Sequence, residues 1–268
     1  MAIKKTTIEK TADEIVAFFL DSKVGLDILS QKGKIKLEFA GIKMLVKKND
    51  IVGSVIQEWF QKILDQQKIF NIPNKATQKF PDFYLKKTTI NPGYSVTEGL
   101  CEIKSYNAIK TPAFDIANYD SYIEKLNSDV AILDTKYIIF AYKFEKGELS
   151  IKNVYCKNIW EISGETEKES LKCQIKKGQV YNIRPVSFNS TRKVEFSPFT
   201  SLSEFLIALY KFKIEQDGGR NIVGHTAWIE KISENYTALH GNDIVEKEVK
   251  KITAKKVIYK SKSKCEIK

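Results

Sequence analysis

PDFYLKKTTINPGYSVTEGLCEIKSYN runs from Pro81 to Asn107. Pro92-Gly93 and Gly99 break it in the middle. The flanking segments PDFYLKK and EGLCEIKSY have strand character, so the stretch reads as two strands joined by a loop of about ten residues. Side chains alternate across a strand, which sends Glu102 and Lys104 to one face and Ile103 to the other. If the two strands pair so that Asp82 lies beside Glu102, two carboxylates and an ammonium converge.

CEIK is not unique in the chain. It occurs at Cys101–Lys104 and again at Cys265–Lys268. An acid, any residue, then lysine occurs five times, starting at Asp21, Glu102, Asp134, Glu248 and Glu266. Composition alone predicts about that many, so the tripeptide carries no information without context. Context separates the copies. Pro81-Asp82 is the only Pro-Asp in the chain and lies 20 residues before Glu102. Asp21 trails a helical segment, Asp134 precedes a strand, Glu248 sits in a charged stretch, and Glu266 ends the sequence without such a partner.

A cluster of Asp82, Glu102 and Lys104 has a physical use. Two close carboxylates repel, and one takes up a proton unless a cation sits between them. Mg²⁺ favours such oxygen ligands, keeps several waters and accepts phosphate as a further ligand. It stabilises charge on a phosphodiester and helps form hydroxide, while a lysine beside the attacking water assists. The arrangement is what metal-dependent phosphodiester hydrolysis needs. The plainer reading is that Asp82 merely opens a turn after Pro81.

The bulk composition fits such a substrate. The chain has 268 residues, 43% apolar, with 44 Lys+Arg against 33 Asp+Glu and a net charge of +11. A basic field of this size draws polyanions, nucleic acid before membrane, and no basic amphipathic helix with a clean apolar face stands out. The plain alternative is a lysine-rich surface with no polyanion partner. IVAFFL and YIIFAY are the longest apolar runs, far short of a membrane span. No signal peptide is visible, so a cytoplasmic protein is expected. The four cysteines and two histidines show no zinc spacing, and neither zinc nor disulfides are expected. The three arginines, Arg184, Arg192 and Arg220, fall within one window of 37 residues. Guanidinium binds guanine O6 and N7 with two hydrogen bonds, so these arginines read bases or simply pair with carboxylates.

The rest of the chain supplies an α/β (α+β) layout, a mixed central sheet flanked by helices. TADEIVAFFL (11–20) is a helix opened by a Thr11…Glu14 capping box. KLEFAGIKMLVKK (36–48) is a strand pair. Residues 49–67 form a stronger helix, with Ile51, Val55, Trp59 and Ile63 as the stripe and Ile56 and Phe60 on its flank. Residues 114–129 form a helix opened by Asp115. KYIIFAYKF (136–144) is a strand, followed by a Lys146-Gly147 turn and another strand. A hairpin over 171–184 turns at Lys177-Gly178. Residues 200–215 are a helix with a Ser201…Glu204 capping box, and 225–239 are read as the last helix. The stretch 250–264 holds seven lysines and no acid, suited to phosphate contact.

FPDFYL, about 20 residues, then CEIKSY resembles the signature of the PD-(D/E)XK nuclease superfamily. PAFDIANYDSYIEKL (112–126) and YNIRPVSFNSTRK (181–193) resemble the segments downstream of that signature in several of its Type II restriction endonucleases. VGSVIQEWFQKIL resembles the upstream helix that often brings an additional acid, here Glu58. The resemblance spans most of residues 50–240. It implies Mg²⁺-dependent cleavage of double-stranded DNA at a short, palindromic site, leaving 5′-phosphate and 3′-hydroxyl ends. It implies a homodimer and a DNA methyltransferase that protects the host. Carried over, Asp82 and Glu102 bind metal, Lys104 assists the water, and Glu58 serves the metal or holds Lys104. One nuclease domain over 1–268 is expected, with a catalytic core at about 49–165 and a recognition part at about 170–268. Candidate DNA contacts are Asn182, Arg184, Ser187, Asn189, Ser190, Arg192 and Lys193, then Arg220 and Asn221 behind the loop glycines Gly218-Gly219. Two other readings stay open: a non-catalytic DNA-binding protein that keeps the fold, and a repair or junction-resolving nuclease.

Overall fold

The computed structural model describes residues 7–47, 49–74, 80–86, 99–190 and 196–255. The second CEIK, Arg192, Lys193 and residues 87–98 of the expected loop lie outside the described residues. The chain divides into two compact units. One comprises the residues up to Ala117 together with Ala131–Ile159, and the other Asn118–Val130 together with Trp160 onward.

The first unit opens with α1 (Ala12–Asp21) and α2 (Lys23–Ser30), then β1 (Lys32–Lys34), β2 (Lys36–Phe39) and β3 (Ile42–Leu45). α3 (Val52–Gln66), β4 (Ile72–Pro73), β5 (Phe83–Tyr84) and β6 (Leu100–Asn107) come next. The chain leaves through β7 (Ala117–Asn118) and α4 (Tyr119–Ser128) and returns as β8 (Lys136–Glu145) and β9 (Glu148–Lys157). Six strands form a mixed sheet in the order β1-β9-β8-β6-β5-β4. β6 and β8 run parallel, and the other neighbours are antiparallel. A parallel pair needs a crossover, and the excursion through α4 provides it.

β6 and β8 occupy the middle of this sheet, and β8 is buried on both faces, which is why its sequence is an unbroken apolar run. Ile103 of β6 pairs with Ile138 of β8 and faces the core with Phe140 and Val154. α1 covers that core with Ile15, Val16 and Phe19. Its capping box is complete, with Thr11 Oγ1 accepting from Glu14 N at 3.2 Å and Glu14 Oε2 from Thr11 N at 2.7 Å. Phe60 of α3 packs its ring against Phe140 and Phe83 with centroids 5.6 and 5.9 Å apart.

α3 is rotated relative to the sequence reading. Its buried residues are Val52, Ile56, Phe60, Ile63 and Leu64, while Ile51 is exposed and Val55 and Trp59 are half-buried. The expected flank is the centre of the stripe. Trp59 still reaches the core from the margin, its ring 5.8 Å from that of Phe140.

In the second unit β10 (Cys173–Lys176) and β11 (Gln179–Ile183) form the expected hairpin. Lys177 and Gly178 have φ of 51° and 78°, as Lys146 and Gly147 have 52° and 81°, the left-handed pair that suits a two-residue hairpin loop. α5 (Leu202–Gln216), α6 (Ile222–His240) and α7 (Ile244–Thr253) complete the unit. α5 is buried over most of its surface, with an edge at Glu204 and Lys211 exposed, and Phe205 and Phe212 meet Tyr122 and Tyr119 of α4. Its Ser201 cap accepts from Glu204 N, but Glu204 reaches back to Thr200 N at 2.7 Å, one residue beyond a standard box.

Two helix boundaries differ from expectation. α4 begins at Tyr119 and not near Asp115, because Asn118 accepts from Ser121 N and caps it while the residues just before extend as β7. α6 is not the last helix. It stops at Gly241 in the left-handed region (φ 66°), and Asn242 and Asp243 restart the chain as α7. Among the described residues no helix is long and apolar enough to cross a membrane.

The rotation of α3 has a measurable consequence. Phe60→Ala should cost about 3–5 kcal/mol in urea denaturation. Ile51→Ala, at a residue 41% exposed, should cost under about 1 kcal/mol. Equal costs would place the stripe where the sequence alone put it.

Candidate active site

β5 pairs with β6 through Phe83 opposite Cys101 and Tyr84 opposite Leu100, so the next position sets Asp82 against Glu102. Side chains continue the ladder there. Asp82 Oδ2 accepts from Ile103 N at 2.8 Å, and Asp82 N donates to Glu102 Oε2 at 3.1 Å. Lys104 Nζ donates to Glu102 Oε1 at 2.8 Å, as two residues on one strand face allow. The remaining oxygen, Asp82 Oδ1, accepts from Gln57 Nε2 of α3 at 2.9 Å. Asn74 holds the segment from behind, its N–H donating to Asp82 O and its Nδ2 to Pro81 O.

The cluster is largely out of water. Glu102 is 7% exposed, and Asp82 and Lys104 are half-buried. Burial pushes the Asp82 carboxyl up, opposed by the Ile103 N–H, the Lys104 charge and Gln57. Burial also pushes Glu102 up, with Lys104 opposing and the Asp82 charge adding to the rise. Cys101 points to the other face, fully buried, and its thiol is pushed up well above the ordinary range by desolvation. It is no nucleophile.

Of the four candidates for this site, the structure brings Asp82, Glu102 and Lys104 together. Glu58 is exposed, about half a helical turn from the centre of the buried stripe of α3. The side chain that α3 sends to Asp82 is Gln57, which sequence reasoning missed. With the stripe centred on Ile56 and Phe60, position 57 falls on its margin. That was the available signal.

The DNA-contact candidates fall in the second unit. Asn182 and Arg184 lie on or just past β11. Asn182 Nδ2 donates to Gln174 Oε1 at 3.3 Å, and Arg184 N donates to Lys172 O at 2.9 Å. Ser187 is half-buried, and Asn189 and Ser190 are exposed. Arg220 and Asn221 belong to the α5–α6 turn, which is not a loose glycine loop. The Asp217 carboxylate accepts from Gly219 N, Arg220 N, Asn221 N and the His225 ring at 2.6–3.1 Å. Asn221 itself caps α6, accepting from Gly224 N. The stretch of lysines also begins inside the fold, since Lys250 bridges Glu234 of α6 and Glu246 of α7.

The sequence profile of the NgoBV restriction endonuclease family matches residues 9–256. The chain belongs to that family. It is 30% identical over 238 residues to the Type II restriction enzyme NlaIV of Neisseria lactamica, covering 88% of this chain and 93% of that enzyme. It is also 30% identical over 157 residues to the Type II restriction enzyme NgoBV of Neisseria gonorrhoeae, covering 58% of this chain and 84% of that enzyme. A solved structure of the NlaIV restriction endonuclease superposes with a TM-score of 0.78 at 30% identity, covering 89% and 93% of the two chains. The protein is thus a Type II site-specific deoxyribonuclease, and the NgoBV family profile covers segments of both units.

The electrostatics of the cluster predict its pH behaviour. An acid whose pKa is raised on folding contributes stability that is fully present below its unfolded pKa, about 4, and lost as pH rises through the folded value. Asp82 and Glu102 both have this sign. In EDTA at pH 7, Asp82→Asn is therefore expected to raise the Tm, because an amide keeps the Ile103 and Gln57 bonds if Gln57 turns over. Gln57→Leu strips Oδ1 of its donor and should cost about 1–3 kcal/mol. A Tm for Asp82→Asn below wild type would contradict this account.

Proposed function

We propose that the chain hydrolyses both strands of duplex DNA at a short palindromic site in a Mg²⁺-dependent reaction, leaving 5′-phosphate and 3′-hydroxyl ends. Asp82 and Glu102 are the cation ligands, and Lys104 assists the attacking water. This is the arrangement of the PD-(D/E)XK nucleases. The observation that supports it is the lacing of Asp82 to Glu102 across β5 and β6, with Lys104 on Glu102.

The donor set fits the cation. Two carboxylates face one ammonium, so the ionised cluster carries one uncompensated negative charge in a desolvated place. Hard oxygens of this kind suit Mg²⁺, which fills its other positions with water and phosphate oxygens. A pair of carboxylates is enough for it, and among the described residues no group of three or more His, Cys, Asp and Glu side chains is set to hold a metal. When bound, the cation supplies charge stabilisation at the phosphorus centre and a more acidic water. The chain's own residues do the rest. Ile103 N and Gln57 fix the plane of the Asp82 carboxylate, and Asp82 N fixes that of Glu102. Lys104 offsets negative charge gathering on the phosphate oxygens and holds the water in line. Glu58, on the far side of α3, takes no part.

One such cluster serves one phosphodiester. Cutting two antiparallel strands at a palindrome therefore calls for two copies related by a twofold axis. The enzyme acts in the cytoplasm, where a methyltransferase of the same specificity shields the host DNA. Asn182 and Arg184 are the leading base contacts, with Ser187, Asn189, Arg192 and Lys193 beyond them. Arg220 contributes its charge.

A plasmid digest tests the whole reading. Wild-type protein should give discrete fragments with Mg²⁺ and none in EDTA, and Asp82→Ala should give none. Lys104→Ala should cut at least about 100-fold more slowly while retaining site-specific binding in a gel-shift assay. Glu58→Gln should stay within about threefold of wild type, since surface changes are usually small. Cutting in EDTA, or by Lys104→Ala at the wild-type rate, would place the chemistry elsewhere.

A further inference from the structure

The β10–β11 hairpin has two unlike faces. Cys173 stands opposite Ile183, and Ile183 is fully buried, so that face belongs to the interior of its unit. On the other face Gln174 stands opposite Asn182. The bond from Arg184 N to Lys172 O carries the ladder one pair further. Residues directly opposite in an antiparallel pair share a face, so Lys172, Gln174, Asn182 and Arg184 form one polar stripe.

The side chains of the stripe are already coupled. Asn182 Nδ2 donates to Gln174 Oε1, and Lys172 Nζ donates to Pro185 O at 2.9 Å. Burial, and then the neighbouring Arg184 charge, pull the Lys172 ammonium below its ordinary range. All four residues are half-buried, so they are held in place and not spread in solvent. The register shifts between Gln174 and Ile175, leaving Tyr181 as the extra residue of a bulge. Asn118 Nδ2 pins that bulge by donating to Tyr181 O at 3.0 Å. Bulges twist a ribbon and re-aim its side chains, often beside functional sites.

The chemistry of the stripe matches base edges better than phosphates. A two-stranded ribbon fits the major groove. Cations alone would serve a phosphate backbone, without sequence information. Here a cross-strand pair of amides, Gln174 and Asn182, each with a donor and an acceptor, lies beside the cross-strand pair of cations, Lys172 and Arg184. Holding two partly desolvated cations side by side is unfavourable in the free protein and is relieved when acceptor-rich edges arrive.

We propose that this stripe enters the major groove of duplex DNA and that Gln174, acting as a unit with Asn182, is a specificity-determining residue. The proposal rests on the DNA-cleavage reading above and adds to it the residue that the sequence did not single out.

The test begins by sequencing the ends of wild-type plasmid fragments to define the cut site. Cleavage rates are then compared on duplexes with that site and with each single-base-pair change, for Gln174→Glu, Gln174→Ala, Asn182→Ala and the double alanine variant. Gln174→Glu keeps the acceptor for Asn182 Nδ2, and so the hairpin, but loses the amide donor of Gln174. Discrimination at one and the same base pair should fall at least about tenfold in each single variant. The double variant should fall no further than the larger single one. Discrete wild-type cutting with unchanged preferences in Gln174→Glu overturns this proposal alone. So do losses that are equal on every duplex, or that fall at separate positions and add. Wild-type protein that cuts no duplex at a discrete site overturns the cleavage reading and this proposal with it.

Discussion

Two carboxylates lie next to each other in a place water barely reaches, and that is permitted only because each of their four oxygens has a donor. Burying a charge costs heavily unless hydrogen bonds and opposite charge replace the lost water. Gln57, Ile103 N, Asp82 N and Lys104 fill that requirement between them. The surrounding fold is constrained by it. β5 must break its backbone ladder at Asp82 so that side chains can take over. β6 must sit between β5 and β8, with Ile103 locked into the core behind the site. α3 must bury its Ile56–Phe60 stripe so that its margin, and not its back, faces Asp82.

The elements legible in the sequence are those with strong local chemistry. Capping residues at Thr11 and Ser201 and the Lys-Gly turns at 146–147 and 177–178 fix helix starts and hairpins from within a few residues. Strand alternation was enough to aim Glu102 and Lys104 together. What escaped depended on packing. Trp59 is the largest apolar side chain of α3 and invites being taken as its centre, yet it reaches the core from the edge. Asp115 and Asn118 are equally good caps by type, and only the extended pairing just before α4 decides for Asn118. Gln57 escaped because a neutral amide carries no label, and its role exists only once Asp82 is brought to it from 25 residues away. Gly218-Gly219 suggested a free loop, but the Asp217 carboxylate gathers it.

The net charge of +11 is not a count of free cations. Several lysines are committed to the protein's own acids. Lys32 and Lys34 share Glu148, and Lys250 is held between two helices. Lys104 serves Glu102. The basic excess still draws polyanions at long range, a field that says nothing of which side chains meet them.

The route of the chain has a consequence for how such an enzyme diversifies. The second unit is not a contiguous tail, because α4 is threaded out of the first unit between two central strands and packs against α5. Neither unit can be cut out or grafted by a single crossover in the gene. A single exchange after Ile159 would bring α5 from one parent and leave α4 from the other, so the Tyr119–Phe212 and Tyr122–Phe205 contacts would have to match across the join. The two units therefore pass on together unless both segments of the second are exchanged at once.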